Sequence, residues 1–290
     1  MRDPVFIIGG SRTGSEMLKT MLTVSTELDF VDELFLLCPR WLHKDLQTNI
    51  TQHVGDLRSS GASVKLIDFL FSGVPYGWFW SVVTEQLDKD KLSRRLEGKA
   101  LTLQEIFLAI MEVHSNMRGK ARTGAKFPMH YSKTDVLLEW FPRCRIIHTT
   151  RDPRAVYASQ ATKYLSDSES QLMTSIKKAM QFVHIAIQTQ WTAAIHERYK
   201  ALPNYKLVRY EDVVTDTKNE LRQICEFLSV NFEQDMLNPH QYGSSFEQIG
   251  KKSGVDKSSL TRWQSVISAK TACLIQILQK KPMKVFGYLV

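Results

Sequence analysis

"FIIGGSRTGSEMLKTML", residues 6–22, runs from an apolar stretch through a glycine-rich turn into an amphipathic segment. Pro4 to Ile8 suits a strand buried on both faces in a parallel sheet. Met17, Leu18, Met21 and Leu22 fall on one face of the helix that follows. A strand that enters a helix through glycines gathers several backbone N–H groups at one point, and the helix dipole adds partial positive charge there. Such a turn cradles an anion. It is not a Walker A loop, which needs G-x-x-x-x-G-K-[ST]. Here Gly9 and Gly14 are followed by Ser15 and Glu16, so the lysine is missing and an acid holds the place of the Mg²⁺-binding hydroxyl. Arg12, inside the turn, is placed to fork two anionic oxygens, and Ser15 has a hydroxyl to donate.

A second constellation lies downstream. "RCRIIHTTRDP", residues 143–153, reads as a strand bounded by Pro142 and Pro153, with Ala155, Val156, Ala158 and Ser159 continuing as a helix. Arg151 ends that strand and Ser159 follows eight residues later. Parallel strands open their carboxyl ends on the same edge, where ligands bind, so this is a second anion site beside the first. "YKLVRY", Tyr205 to Tyr210, is a third strand. Asp216 or Thr217 caps a helix burying Leu221, Ile224, Cys225 and Leu228. A long helix spans 169–199, with Leu172, Ile176, Met180, Val183, Ile187, Trp191 and Ile195 expected inward. Leu103, Ile106, Phe107, Ile110, Met111 and His114 mark another helix. "PYGWFW", Pro75 to Trp80, is expected to pack in the core, and the polar stretch Gly243 to Ser259 reads as a loop. A last helix begins near Ala269. Strands alternating with helices, without repeats or an interdomain linker, argue for one α/β domain over residues 1–290, a central parallel sheet with helices on both faces.

The composition is that of an ordinary globular chain: 290 residues, 43% hydrophobic and 23% charged, with net charge +8. The positive balance fits anionic ligands. Without a long Lys/Arg run, a nucleic-acid arm is not expected. Cys38, Cys144, Cys225 and Cys273 are far apart in apolar surroundings, which reads as buried free thiols in a reducing compartment and no metal site. Neither a signal peptide nor a run of about 18 apolar residues is present, so a cytoplasmic location and no membrane span are expected.

At this point the chain resembles the sulfotransferases that use 3′-phosphoadenosine 5′-phosphosulfate (PAPS), most closely the branch with tyrosylprotein and many bacterial enzymes. Ser11-Arg12-Thr13-Gly14-Ser15-Glu16-Met17-Leu18 is similar to their 5′-phosphosulfate motif P-R-S-G-T-T-L-L, and "RDPRAVYAS", Arg151 to Ser159, to their 3′-phosphate motif. "VRYEDVVTDTKNELRQICEFLSV", Val208 to Val230, resembles Y-E-D-L-x-x-x-P with its helix and F-L-G, and "TRWQSVIS" with Phe286 to Tyr288 the closing G-R-W region. The four stretches come in family order over nearly the whole chain. The resemblance implies a P-loop-like three-layer fold and a metal-free transfer of a sulfuryl group from PAPS, leaving 3′,5′-bisphosphoadenosine (PAP). It also implies roles. Arg12, Thr13, Gly14 and Ser15 would hold the phosphosulfate, Arg12 stabilising the leaving oxygen and Lys126 contacting the sulfuryl group. Arg151, Ser159 and Arg262 would hold the 3′-phosphate, and Tyr210 would lie near the adenine. For the base, Glu33, nineteen residues after Gly14, matches the tyrosylprotein branch, and His130 is the rival from the cytosolic branch.

Position 16 departs from the family, which has Thr or Ser there. Glu16 is expected to turn outward in the first turn of its helix, where an acid is favourable. Two other readings stand beside the sulfotransferase. A kinase or nucleotide hydrolase with an altered loop would need Mg²⁺ and an acidic strand end. A non-catalytic protein would bind the nucleotide without turnover. The acceptor has no code in residues 40–100: a glycan, a lipid, a peptide or a small alcohol all fit.

Overall fold

The computed structural model describes residues 3–32, 46–72, 84–164, 171–238 and 255–289. Five strands, β1 (Val5–Gly9), β2 (Leu28–Asp32), β3 (Arg122–Lys126), β4 (Arg145–Thr150) and β5 (Tyr205–Arg209), form one sheet in the order β2-β3-β1-β4-β5. Every pairing is parallel, with Ile7 opposite Lys126, Gly9 opposite Thr149, and Asp32 opposite Lys126. The sequence reading found β1, β4 and β5. It missed β2 and β3, which are short and carry Asp29, Arg122, Thr123 and Lys126 at buried positions.

Side chains alternate across a strand, so β1 feeds two cores. Val5 and Ile7 join Leu28, Phe30, Leu18, Met21, Leu221, Ile224 and Leu228 on one face. That face is covered by α1 (Ser15–Thr23) and the helix Thr217–Leu228. Phe6 and Ile8 join Val31, Phe107, Ile110, Leu137 and Ile146 on the other. There the main cover is the helix Leu103–Met117, whose Thr102 Oγ1 accepts from the Glu105 N–H at 3.1 Å. Phe6 stacks on Phe107 with ring centroids 5.9 Å apart. Asp216 caps the helix Thr217–Leu228 through the Asn219 N–H, as its sequence suggested, and Ser229 ends it in the left-handed conformation.

The long helix Gln171–Tyr199 forms as expected, but its apolar stripe faces the wrong way for a core. Ile176, Met180, Val183, Ile187 and Trp191 are 44–68% exposed, Ile195 is partly buried against the core, and the Leu172 side chain lies outside what the structure describes. The buried face instead carries Ile185, Gln188 and Thr192. Ile185 and Phe182 meet Val156 and Tyr157 of the helix Pro153–Tyr164. Periodicity finds a helix's apolar face but not what lies against it. Three further expectations are corrected or fall away in whole or in part. Cys144 and Cys225 are buried, but Cys273 is exposed. Cys38, the cluster 75–80 and residues 243–254 lie outside the described residues.

Phe107→Ala should cost about 3–5 kcal/mol, since it opens a cavity in the stacked aromatic core. Met180→Ala, on the exposed stripe, should stay within about 0.5 kcal/mol. Guanidinium unfolding of both variants checks the assignment of the two faces.

Candidate active site

All five strands end on one edge, and Arg12, Lys126, Arg151, Ser159 and Tyr210 lie at or just beyond strand ends there. The turn after β1 approaches its neighbours closely. A Cβ on Gly9, whose φ is +143, would lie 2.2 Å from the Thr149 carbonyl oxygen. A Cβ on Gly14, φ +87, would lie 2.4 Å from the Tyr210 ring. Only glycine fits at either place. Arg12 also has positive φ, 65°. Thr13 Oγ1 donates to the Gly10 carbonyl at 2.7 Å and meets Thr149 Oγ1 at 2.8 Å, so Thr13 braces the turn against β4. Gln188 braces it from the other side: its Oε1 accepts from the Ser11 N–H at 2.9 Å. Gln188 had no local sequence signal, being one polar residue on a long mixed helix. Gly14 offers α1 no capping side chain, so the first N–H groups of α1, beginning at Ser15, stay available to a ligand.

Arg12 and Ser159, from the two motifs, touch: Arg12 Nε donates to Ser159 Oγ at 3.0 Å. The Arg151 guanidinium lies over the Tyr210 ring, 4.1 Å from its centroid, and donates to the Ser259 carbonyl at 2.9 Å. Tyr210 donates its hydroxyl to Ser259 Oγ at 2.7 Å. Burial holds the Arg151 guanidinium below its usual range. Its Nε is buried without a hydrogen-bond partner among the described residues. A buried cation with an idle donor is a site that fits an anion. Glu211 fastens this corner, accepting from the Asp152 N–H at 2.9 Å and the Tyr288 hydroxyl at 2.8 Å. Arg262 is more exposed and ion-pairs with Asp256 at 2.6 Å. It belongs to the same cluster, because the Asp256 carbonyl accepts from Ser259 Oγ.

On the opposite side of the turn, charges of alternating sign meet among the described residues. Lys126, ending β3 and only 2% exposed, lies 2.7 Å from Glu16 Oε2 and 3.5 Å from Asp32 Oδ1. Lys19 lies 2.7 Å from Asp32 Oδ1 and 2.9 Å from Glu16 Oε1. The expectation that Glu16 turns outward is therefore corrected: its carboxylate turns to the lysines, because β3 places a buried ammonium within reach of the first turn of α1. Burial pushes both carboxyls up, but the two ammonium groups outweigh it and hold Glu16 and Asp32 below their ordinary ranges. Asp32 is the acidic strand end that a kinase would need, yet its oxygens are taken by lysines.

His130 lies in the turn Pro128–Lys133 after β3, fully buried, edge-on to Phe127 and Phe107 at centroid distances of 4.7 and 5.8 Å. Glu33, the rival candidate, follows Asp32 and lies outside the described residues. Among the described residues no cluster of His, Cys, Asp and Glu is placed to hold a metal ion. No described helix is long and apolar enough to cross a membrane.

A model of the sulfotransferase family matches residues 4–234. Among curated proteins, the chain is 25% identical over 268 residues to omega-hydroxy-beta-dihydromenaquinone-9 sulfotransferase Stf3 of Mycobacterium bovis, a match covering 82% of this chain and 66% of that protein. The chain thus spans slightly less than two thirds of the length of that relative. Among solved structures, it resembles the sulfotransferase domain of the Synechococcus PCC 7002 olefin synthase at 19% identity and TM-score 0.61, covering 100% of this chain and 97% of that one. It also resembles mouse sulfotransferase SULT7A1 complexed with PAP at 12% identity and TM-score 0.51, covering 99% of this chain and 89% of that one.

The charge set makes stability depend on pH. With both carboxyls depressed, the folded protein binds fewer protons than the unfolded chain near their ordinary pKa values. Their contribution is whole above that range and is lost as pH falls through the folded values. Between about pH 5 and pH 3 the melting temperature of the native protein should fall more steeply than that of a Glu16→Gln/Asp32→Asn variant. Parallel melting curves would show the charge set to be irrelevant to stability.

Proposed function

Since the chain belongs to the sulfotransferase family, we propose that it transfers a sulfuryl group from PAPS to a hydroxyl, or an amine, of an acceptor. The observation that carries this reading is the pair of anion sites at one sheet edge, joined by the contact of Arg12 with Ser159 at 3.0 Å. The turn and Arg12 serve the 5′ end of the donor. Arg151, with its idle Nε, and Ser159 serve the 3′-phosphate, with Arg262 approaching from the C-terminal side. Tyr210, pressed between Arg151 and Gly14, borders the nucleoside. The acceptor oxygen attacks sulfur in line as the bond from sulfur to the 5′-phosphate oxygen breaks. PAP leaves, and the acceptor proton passes to a base. Charge grows on the leaving oxygen, where the N–H groups of the turn and Arg12 are fixed in advance, while Lys126 neutralises the sulfuryl oxygens. Side-chain cations fill the role that a metal fills in phosphoryl transfer. We assign the base to Glu33, one residue beyond the strand end that supplies Asp32. His130, the alternative, is fully buried between two phenylalanines.

The exposed apolar stripe supports a finer reading of the acceptor: a hydroxyl carried on an apolar body. The helix bearing the stripe packs on Val156 and Tyr157 with one flank and reaches the phosphosulfate turn through Gln188. The curated relative is named for a lipid quinone, an acceptor of this kind. A panel of hydroxylated lipids, glycans, peptides and small alcohols with labelled PAPS tests the class. Transfer confined to polar acceptors would overturn the apolar reading. Binding of PAP without turnover on any class would instead make this a non-catalytic nucleotide-binding protein.

Arg151→Ala should weaken PAP by about 2–4 kcal/mol, the cost of breaking a buried charge-assisted contact. Ser159→Ala should cost about 0.5–1.5 kcal/mol. Titration with adenosine 5′-phosphosulfate, which lacks the 3′ group, is the control: equal weakening there would remove Arg151 from the 3′ site. Glu33→Gln should lower kcat about 10²–10⁴-fold while PAP affinity stays near normal. A normal kcat in Glu33→Gln alongside a crippled His130→Ala would transfer the role to His130.

A further inference from the structure

A phosphosulfate loop with a carboxylate beside its sulfuryl-binding lysine is at odds with itself. Lys126 is 2% exposed, and at that depth an ammonium needs a counter-charge. Glu16 provides it at 2.7 Å, in the position where an arriving sulfonate would need the same ammonium. Among the described residues, Asp32 and Lys19 complete a set of two acids and two lysines whose formal charges cancel. A sulfonate brought to Lys126 would be repelled by the Glu16 carboxylate while that pair stayed closed.

The geometry provides an exit. Glu16 is tied through its other oxygen to Lys19, at 2.9 Å and three residues on along the same helix. It can give up Lys126 without losing all its pairing, and at 21% side-chain exposure it can take up water in compensation. Asp32 keeps both contacts to Lys19 whichever way Glu16 turns. We propose that Glu16 is an internal stand-in for the donor's sulfonate, holding Lys126 in the donor-free protein and surrendering it when PAPS binds, so that it sets how far the protein discriminates PAPS from PAP. PAP brings no sulfonate and leaves the pair closed. PAPS must open it. Once the sulfuryl group has gone to the acceptor, the pair re-forms behind it and disfavours its return. No bond changes in this exchange; only ion pairs are traded.

This inference rests on the PAPS reading, and the test separates the two. PAPS and PAP affinities are measured without acceptor, by competition at short times, for the native protein, Glu16→Gln and Lys19→Met. Glu16→Gln keeps the shape of the side chain and removes its charge. It should tighten PAPS about 5- to 100-fold relative to PAP, the usual range of coupling between two interacting groups. Lys19→Met removes the partner to which Glu16 retreats and should shift the ratio the opposite way, weakening PAPS relative to PAP. A merely structural role for Glu16 would change both ligands in parallel. An unchanged ratio of the two affinities in both variants would overturn the inference while leaving the donor assignment standing. Failure of the native protein to bind either nucleotide would overturn the donor assignment itself, and the inference with it.

Discussion

Five strands running the same way bring every carboxyl end to a single edge, and the candidate site lies at that edge. With β1 in the middle, its anion-binding turn has β3 on one side and β4 on the other. Each neighbour ends in a buried or half-buried cation: Lys126 closes β3 and Arg151 follows β4. One turn is thereby flanked by two positive groups on opposite sides. A compact phosphate would use the turn and one of them. A nucleotide with charge at both its 5′ and 3′ ends would use both, and in the proposed reading strand order thereby bears on ligand choice.

The two cations are kept in different states. Arg151 rests on the face of Tyr210 and a backbone carbonyl, with no carboxylate in ion-pair distance among the described residues. Burial depresses it, and an anion that replaces the lost hydration finds nothing to displace. Lys126 is matched instead by Glu16 and Asp32. An anion arriving there must exchange with a group already in place. The asymmetry follows from the elements nearby. The first turn of α1 and the end of β2 both project acids onto Lys126, whereas on the β4 side Arg151 meets Tyr210 and Ser259 while the nearby acids have other partners: Asp152 pairs with Arg154, Asp256 with Arg262, and Glu211 accepts from the Asp152 N–H and the Tyr288 hydroxyl. In the donor reading, the end that stays bound throughout the reaction is the one with no internal competitor, and the end that loses its group is the one with a substitute.

Much of the site was legible from residue order alone. The glycines of the turn, Arg12, Arg151 with Ser159, and Tyr210 all sit where a local pattern placed them, because each is tied to a strand end or a helix start whose signals lie within a few residues. Gln188, Ser259 and Glu211 were not legible as braces. Each acts over a long sequence distance: Gln188 on Ser11, Ser259 on Tyr210 and Glu211 on Tyr288. Nothing in the flanking residues records such a meeting.

The amino-acid order by itself determined that a strand leads through glycines into a helix near residue 9, that another strand is followed at once by an arginine, and that the helices between carry apolar stripes. Those features depend on backbone φ freedom, hydrogen bonding within a turn, and side-chain periodicity, all of which are local. Only the tertiary structure decided which strands are neighbours, and hence that Glu16 meets a lysine more than a hundred residues away rather than water. It also decided that the stripe from Ile176 to Trp191 faces outward while Gln188 turns in. Both outcomes depend on what the sheet order packs against a given face, and a periodic sequence specifies a face without specifying its partner.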